Sequence, residues 1–127
     1  MPERQVTVLT VDDQPVFLRA AHDLISATPG FHEVGQATSG SDALELASTL
    51  DPDLVLIDVR MPDMDGLETA RRLHAAHPEA VVVLVSMGDV PELASTPSPG
   101  VATHLRKQAL SPRALRAVWE AHGSGPR

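Results

Sequence analysis

Three short runs of apolar, largely β-branched residues constrain the fold of this chain more than any other feature. They occupy residues 6–11, 54–57 and 81–85, and they show little of the apolar-polar alternation of a half-exposed strand. Such runs are typical of strands buried on both faces of a parallel sheet. Two weaker strands are predicted at residues 33–37 and 103–106, and we expect them at the edges of the sheet.

Stripes of apolar residues at helical spacing lie between and after these strands. Their members are Val16, Phe17, Ala20, Ala21, Leu24 and Ile25, then Ala43, Leu46, Ala47 and Leu50, then Leu67, Ala70 and Leu73, and finally Leu115, Val118 and Trp119. Strands that alternate with helices form right-handed βαβ units, which build a parallel sheet covered on both faces. The sequence therefore predicts an α/β fold, a small doubly wound domain of five strands and five helices.

The segment between the fourth and fifth strands departs from this pattern. Residues 89–101 should carry the fourth helix, yet they include Pro91, Pro97 and Pro99. A proline inside a helix removes a hydrogen bond and clashes with the preceding turn. The fourth helix is therefore predicted to be short, about two turns or fewer, to end near Ser95 and to be followed by an irregular loop.

Length and composition exclude several classes of protein. The 127 residues suffice for one domain, predicted to cover residues 1–122 and to be followed at 123–127 by a flexible tail or the start of a linker. A net charge of −7 argues against direct nucleic-acid binding, and the absence of cysteine excludes disulfides and cysteine-based metal sites. Because no signal peptide or long apolar stretch is present, we expect a cytoplasmic protein without membrane contact.

Polar residues follow four of the predicted strands at the point where each strand ends. Asp12 and Asp13 follow the first strand, Asp58 the third, Ser86 the fourth and Lys107 the fifth. In doubly wound folds, ligands bind at the carboxyl ends of the strands, so these residues are expected to converge. Lys107 is the only lysine beside nine arginines, and its flexible ammonium group suits contacts to carboxylate and phosphate.

This set of residue types fits phosphoryl transfer to a carboxylate. Clustered carboxylates repel one another unless a cation neutralises them, and their hard oxygens suit Mg²⁺, which also binds phosphate. An aspartate can itself be the nucleophile, and the transfer mainly requires positioning and charge neutralisation. Taken singly, the residues have plainer explanations: Asp13 could cap a helix, Ser86 could occupy a turn and Lys107 could be a solvated charge.

The sequence resembles the receiver domains of two-component response regulators over nearly its whole length. The strongest match, at residues 54–66, reads LVLIDVRMPDMDG and is similar to the family's phosphoacceptor strand and following loop. The Val-Asp-Asp at residues 11–13 and Lys107 add to the match, and residues 107–115 resemble receivers that precede a helix-turn-helix effector. The resemblance implies a flavodoxin-like sheet with strand order 2-1-3-4-5.

The resemblance also implies how the acidic residues act. Asp58 would receive the phosphoryl group from a phosphohistidine of a sensor histidine kinase. Asp13 would bind Mg²⁺ directly, and Asp12 would do so directly or through water. Asp58 itself and the backbone carbonyl of Arg60 would be further ligands of the ion.

Two further residues would contact the phosphoryl group, as the resemblance implies. Ser86 would hydrogen-bond its oxygens and Lys107 would pair with them, which would move the loops that carry both. His104 stands where the family usually has Tyr or Phe and is the second expected switch residue, while Pro62 and Gly66 would shape the loop after the acceptor. The surface of the fourth helix, fifth strand and fifth helix would then present a changed face to a C-terminal or separate effector or to a second copy of the chain.

Departures from the family pattern leave an alternative open. Besides His104, Met87 stands where a small residue is common and Gln108 where many members have proline. With the proline-rich segment, they argue for a pseudo-receiver, a binding module that works without phosphorylation. The presence of all five polar residues at the strand ends, Asp12, Asp13, Asp58, Ser86 and Lys107, argues against it. A phosphatase of the haloacid dehalogenase type would need a second aspartate where Arg60 stands. The expected protein is therefore a switch that catalyses only its own phosphorylation and dephosphorylation and is not a metabolic enzyme.

Overall fold

The computed structural model describes residues 5–61, 63–88 and 100–123. Its elements are β1 (Val6–Val11), α1 (Pro15–Ser26), β2 (Phe31–Ala37), α2 (Gly40–Leu50), β3 (Leu54–Asp58), α3 (Gly66–Ala76), β4 (Val81–Ser86), β5 (Thr103–Arg106), a 3-10 turn (Lys107–Ala109) and α4 (Pro112–His122). The five strands form one parallel sheet in the order β2-β1-β3-β4-β5. This confirms the predicted α/β fold and its strand order.

The described residues contain four α-helices, one fewer than the five predicted. The short helix expected between β4 and β5, with its prolines and its end near Ser95, falls on residues 89–99 and lies outside the described residues. Pro62 lies outside them as well, and the expected tail is described only at Gly123, which follows α4. None of the helices in the described ranges combines the length and apolar character that crossing a bilayer requires.

Two apolar layers hold the helices against the sheet, one on each face. Successive residues of β3 point to opposite faces, so Leu54 and Leu56 join the layer beneath α1 and α4, whereas Val55 and Ile57 join the layer beneath α2 and α3. All four side chains are buried, as predicted for a strand covered on both faces. Because each contributes roughly 1.5–3 kcal/mol when buried, β3 gives Asp58 at its end a firmly held position.

Helix α1 begins without the side-chain cap that its sequence suggested. Gln14 precedes Pro15, which occupies the first turn, and no side-chain cap hydrogen bond is formed there. The carboxylate of Asp12 instead accepts a hydrogen bond from the backbone N–H of Gln14, with 2.8 Å between N and Oδ1. The explanation of Asp13 as a helix cap is therefore wrong, and its side chain is exposed at the edge of the sheet.

Candidate functional site

Three carboxylates from the ends of β1 and β3 meet at the carboxyl edge of the sheet. Asp12, Asp13 and Asp58 each place an oxygen within 4.8 Å of the other two. The strands are direct neighbours, with Val11 paired to Ile57, so the register brings the two strand ends level. In the described part of the chain, this is the one group of three side chains that could hold a metal ion.

Lys107 reaches the acidic cluster from the 3-10 turn that follows β5. Its Nζ lies 2.6 Å from Asp12 Oδ2 and 3.7 Å from Asp58 Oδ1. The side chain of Lys107 is 7% exposed and that of Asp12 is fully buried. Because both charges have left water, loss of Lys107 would leave the buried charge of Asp12 without its ion-pair partner.

Ser86 ends β4 beside the cluster and is buried. Its hydroxyl donates a hydrogen bond to the carbonyl oxygen of Gly88 at 2.6 Å, and its Oγ lies 2.8 Å from Nε2 of His104. Since a hydroxyl carries a single proton, the second contact requires the imidazole to donate its Nε2–H. His104 therefore faces Ser86 on the neighbouring strand, although its backbone lies on the edge strand of the sheet.

A cleft of about 250 Å³ opens at the carboxyl ends of the strands. Its lining residues are Asp13, Gln14, Asp58, Arg60, Ser86, Met87, Gly88 and Lys107. Met87 is the most exposed large apolar residue of that lining, with 63% of its surface exposed. A larger cleft of about 560 Å³ lies at the amino ends of β3 and β4, beside Asp51 and His77. Among the described residues, that cleft offers no group of three metal-ligating side chains. The candidate metal site therefore lies at the smaller cleft.

The pKa of Asp58 lies above the ordinary value for an aspartate. Burial is the main cause, because removal from water disfavours the charged form, and the negative charges of Asp12 and Asp13 add to the rise. Lys107 and the hydrogen bond from the backbone N–H of Arg60 lower the pKa in opposition. A further positive charge at the cluster would therefore return Asp58 towards its ionised, nucleophilic form.

The acidic cluster has the chemistry of a divalent-cation site. Asp12 Oδ2 is buried and is paired with the ammonium of Lys107 at 2.6 Å. Three carboxylates oppose that one ammonium, and their hard oxygens are ligands that Mg²⁺ prefers. The residues present therefore fit such an ion.

The loop after Asp58 is held by glycine and by an aspartate. A Cβ on Gly66 would lie 2.5 Å from the carbonyl oxygen of Asp58, so only glycine allows α3 to begin this close to β3. Asp63 accepts hydrogen bonds from the Ser41 hydroxyl at 2.8 Å and from the backbone N–H groups of Gly40 and Ser41 at 3.0 and 3.1 Å. These hydrogen bonds tie the loop to the start of α2, and they lower the pKa of Asp63 to about 2.

Sequence reasoning missed two contacts at the site. The Phe17 ring lies beneath the Lys107 ammonium, with 4.3 Å between the ring centroid and Nζ. The side-chain amide of Gln108 donates a hydrogen bond to the carbonyl oxygen of Met87 at 2.9 Å. Both contacts join residues far apart in the chain, and the scarcity of aromatic residues, two Phe and one Trp, was the only signal that singled out Phe17.

Comparison with known families identifies this arrangement. A family model described as the response regulator receiver domain matches residues 8–119. The chain belongs to the receiver domain family. Receiver domains are phosphorylation-based switches of two-component systems, and this is the general function of the family. The nitrate/nitrite response regulator protein NarL of Escherichia coli (strain K12) is 33% identical over 120 residues, which make up 94% of this chain and 56% of that protein.

Two further relatives match this receiver domain. The signal receiver domain of the response regulator named NarL from Mycobacterium tuberculosis superposes with a TM-score of 0.84 and 31% identity, covering 94% of this chain and 97% of that one. Protein-glutamate methylesterase/protein-glutamine glutaminase 4 of Geobacter metallireducens is 40% identical over 91 residues, 72% of this chain and 26% of that protein. The chain thus spans about half of the Escherichia coli protein and corresponds to a part of each longer relative.

Proposed function

We propose that the chain is a phosphorylation switch in which Asp58 accepts the phosphoryl group. The proposal is carried by the convergence of Asp58 with the Lys107 ammonium, 3.7 Å away, and with the carboxylates of Asp12 and Asp13. A nucleophile, a fixed cation and oxygen ligands for a metal are the components that phosphoryl transfer requires. The proposed donor is the phosphohistidine of a sensor histidine kinase.

In the proposed transfer, a carboxylate oxygen of Asp58 attacks the phosphorus atom while the phosphorus–nitrogen bond of the phosphohistidine breaks. The electron pair of that bond stays on the imidazole nitrogen, and Asp58 becomes an acyl phosphate. Lys107 pairs with the phosphoryl oxygens and Ser86 donates a hydrogen bond to them. Water later hydrolyses the acyl phosphate, so the chain modifies and restores itself and turns over no outside metabolite.

Mg²⁺ is the cation that we propose for the acidic cluster. Asp13 would bind it directly, Asp12 directly or through water, and Asp58 together with the backbone carbonyl of Arg60 would complete the protein ligands. Bound there, the ion supplies charge neutralisation to the carboxylate and phosphoryl oxygens. The three carboxylates, each with an oxygen within 4.8 Å of the other two, support this assignment.

The switch itself is proposed to run through Ser86 and His104. Because the Ser86 hydroxyl has one proton, a hydrogen bond to a phosphoryl oxygen requires its release from the carbonyl of Gly88. His104 lies on β5, which pairs with the end of β4, so a change at Ser86 reaches the surface of β5 and α4. The partners proposed for that surface are a C-terminal or separate effector, or a second copy of the chain.

The remaining assignments are proposals of the same kind. We place the receiver domain at residues 1–122 and regard 123–127 as a flexible tail or the start of a linker. A cytoplasmic location follows from the proposed histidine-kinase partner. The net charge of −7 supports a domain that signals without binding nucleic acid directly.

Acetyl phosphate, a small phosphoryl donor, tests the central proposal. With Mg²⁺ present, the intact mass of the wild-type protein should rise by one phosphoryl group, and Asp58→Asn should abolish the rise. Asp51→Asn makes the same change at an exposed carboxylate beside the larger cleft at the amino ends of β3 and β4 and should keep it. A wild-type protein that stays unmodified at every Mg²⁺ concentration would instead be a pseudo-receiver that binds partners without phosphorylation.

A further inference from the structure

Phe17 lies against the ammonium group of Lys107, with Nζ over the ring and 4.3 Å from its centroid. Lys107 is the only lysine of the chain and Phe17 is one of three aromatic residues. Because the lysine side chain is 7% exposed, its ammonium has lost most of its water and depends on protein groups for compensation. In the described part of the chain, those groups are Asp12, Asp58 and the Phe17 ring.

On the basis of the phosphoryl-acceptor function above, we propose that Phe17 is a positioning residue for the phosphoryl group. Its ring holds the Lys107 ammonium between Asp12 and Asp58, where the cation can meet a phosphoryl group on Asp58. Phe17 acts through Lys107, whose ammonium lies over its ring.

Lys107 needs such a support because its own backbone does little to fix Nζ. The residue begins a 3-10 turn after the four-residue edge strand β5, and a lysine stem is long and flexible. The carboxylate of Asp12 attracts Nζ more strongly than that of Asp58, at 2.6 against 3.7 Å. The face of an aromatic ring attracts a cation from a third direction, so Nζ is held within reach of Asp58.

The ring is a fixed reference because it is part of the packed structure. Phe17 packs against the apolar layer that includes Leu115 and Val118 of α4. It also lies on α1, which begins three residues after Asp12. The ring and the carboxylates at the end of β1 therefore keep a constant spacing, and the ammonium can turn from one carboxylate to a phosphoryl oxygen while it stays on the ring.

A purely structural role for Phe17, filling the apolar layer, makes different predictions. Phe17→Leu keeps an apolar side chain but removes the aromatic face, whereas Phe17→Tyr keeps that face. Phe17→Met serves the same purpose as the leucine variant if the latter does not fold. Ile25→Val reduces packing in the same helix and the same apolar layer without touching Lys107, and it is the matched control.

The sole lysine allows a direct spectroscopic test. Protein labelled with ¹³C and ¹⁵N only in lysine should give side-chain Cε–Hε signals from Lys107 alone. A proton above a ring face is shielded, so the wild-type Hε signal should lie upfield of that of free lysine. Phe17→Leu should move it back towards the free value, while Phe17→Tyr and Ile25→Val should leave it in place.

Beryllofluoride, which with Mg²⁺ mimics a phosphoryl group on the acceptor carboxylate, tests the consequence. Its affinity is measured by titration while the amide spectrum is followed. Phe17→Leu should weaken binding roughly 2- to 30-fold, the range that a cation–π contact of this kind represents. Phe17→Tyr and Ile25→Val should stay within about twofold of the wild type.

The outcomes separate the two proposals. If Phe17→Leu leaves the beryllofluoride affinity unchanged, the role of Phe17 is refuted whether or not the lysine signal moves, and the switch at Asp58 stands. If Ile25→Val weakens beryllofluoride binding as much as Phe17→Leu does, packing alone is responsible and the inference is also refuted. If the wild type neither binds beryllofluoride nor is modified by acetyl phosphate, the switch fails and the role of Phe17 fails with it.

Discussion

Ser86 Oγ and His104 Nε2 lie 2.8 Å apart across the neighbouring strands β4 and β5. The residue that we propose to contact the phosphoryl group is thus bonded directly to the proposed switch residue. The same hydroxyl donates its proton to the carbonyl oxygen of Gly88 at 2.6 Å. Two hydrogen bonds therefore hold Ser86 in its present orientation, and both oppose rotation of the hydroxyl towards Asp58.

His104→Phe should increase the affinity of the protein for the phosphoryl mimic beryllofluoride. The substitution keeps an aromatic ring but removes the Nε2–H donor, and one such hydrogen bond contributes about 1 kcal/mol. Ser86 is then freer to turn towards the phosphoryl group, so beryllofluoride with Mg²⁺ should bind about fivefold more tightly. The affinity is obtained by titration while the amide spectrum is followed.

A double-mutant cycle provides the control for His104. Ser86→Ala should weaken beryllofluoride binding because it removes the proposed hydrogen-bond donor. In that background His104→Phe should have no effect, since the two residues act through one contact. Tighter binding that persists without the hydroxyl would show that His104 acts on another part of the structure.

Asp58→Asn should stabilise the protein at neutral pH when divalent cations are removed. Burial, together with the negative charge of Asp12, raises the pKa of Asp58 in the folded state. A carboxyl group with a raised folded pKa favours folding below its unfolded pKa, and this contribution is lost as the pH rises through the folded pKa. The asparagine variant avoids that loss, so its melting temperature in chelator should be higher by a few degrees.

The pH dependence gives this prediction its control. The difference between the wild type and Asp58→Asn should shrink as the pH falls through the pKa of Asp58, because the wild-type carboxyl becomes neutral. Asp51→Asn changes a side chain that is 88% exposed and should alter the melting temperature little at any pH. A variant that is no more stable than the wild type at neutral pH would show that the charge on Asp58 is fully compensated.

Mg²⁺ should stabilise the folded protein through the acidic cluster. An ion that binds only the folded state adds about 1.4 kcal/mol at a concentration ten times its Kd. Asp13→Asn should weaken this effect without disturbing the core, because Asp13 is exposed and does not cap α1. Thermal denaturation at rising Mg²⁺ measures it, with Asp23→Asn, an exposed carboxylate on α1, as the matched control. Equal stabilisation of both variants would mean that the ion binds elsewhere.

The position of the acidic cluster was predictable because it depends on strand direction alone. Parallel strands end at one edge, so placing Asp12, Asp58 and Ser86 at strand ends sufficed to bring them together. The runs that define the strands are continuous and β-branched, and such a pattern tolerates few alternatives. The sequence could therefore predict both the sheet and the edge at which its polar residues gather.

The contacts made by individual side chains were not predictable in the same way. Phe17 fits an apolar helical stripe, and nothing local indicates that its ring also supports Lys107. His104 reads as a partly exposed residue of an edge strand, and its bond to Ser86 depends on the register of β5 against β4. Asp13 stands two residues before Pro15 and could have capped α1, yet the N-cap position is occupied by Gln14, which forms no side-chain cap hydrogen bond.

Gly66→Ala should destabilise the protein and disturb the acceptor at once. The new Cβ would lie 2.5 Å from the carbonyl oxygen of Asp58 and 2.8 Å from the Cα of Val59, and backbone atoms cannot swing aside. The start of α3 must therefore separate from the end of β3. This should lower the free energy of unfolding, measured by urea denaturation, by about 2 kcal/mol, and it should slow the modification of Asp58 by acetyl phosphate.

Gly88→Ala, where a Cβ would meet nothing within 4 Å, is the control, and its free energy of unfolding should stay within about 0.5 kcal/mol of the wild type. Equal stability of the two variants would show that α3 can withdraw from β3 freely, and the close approach at Gly66 would then not be what fixes Asp58.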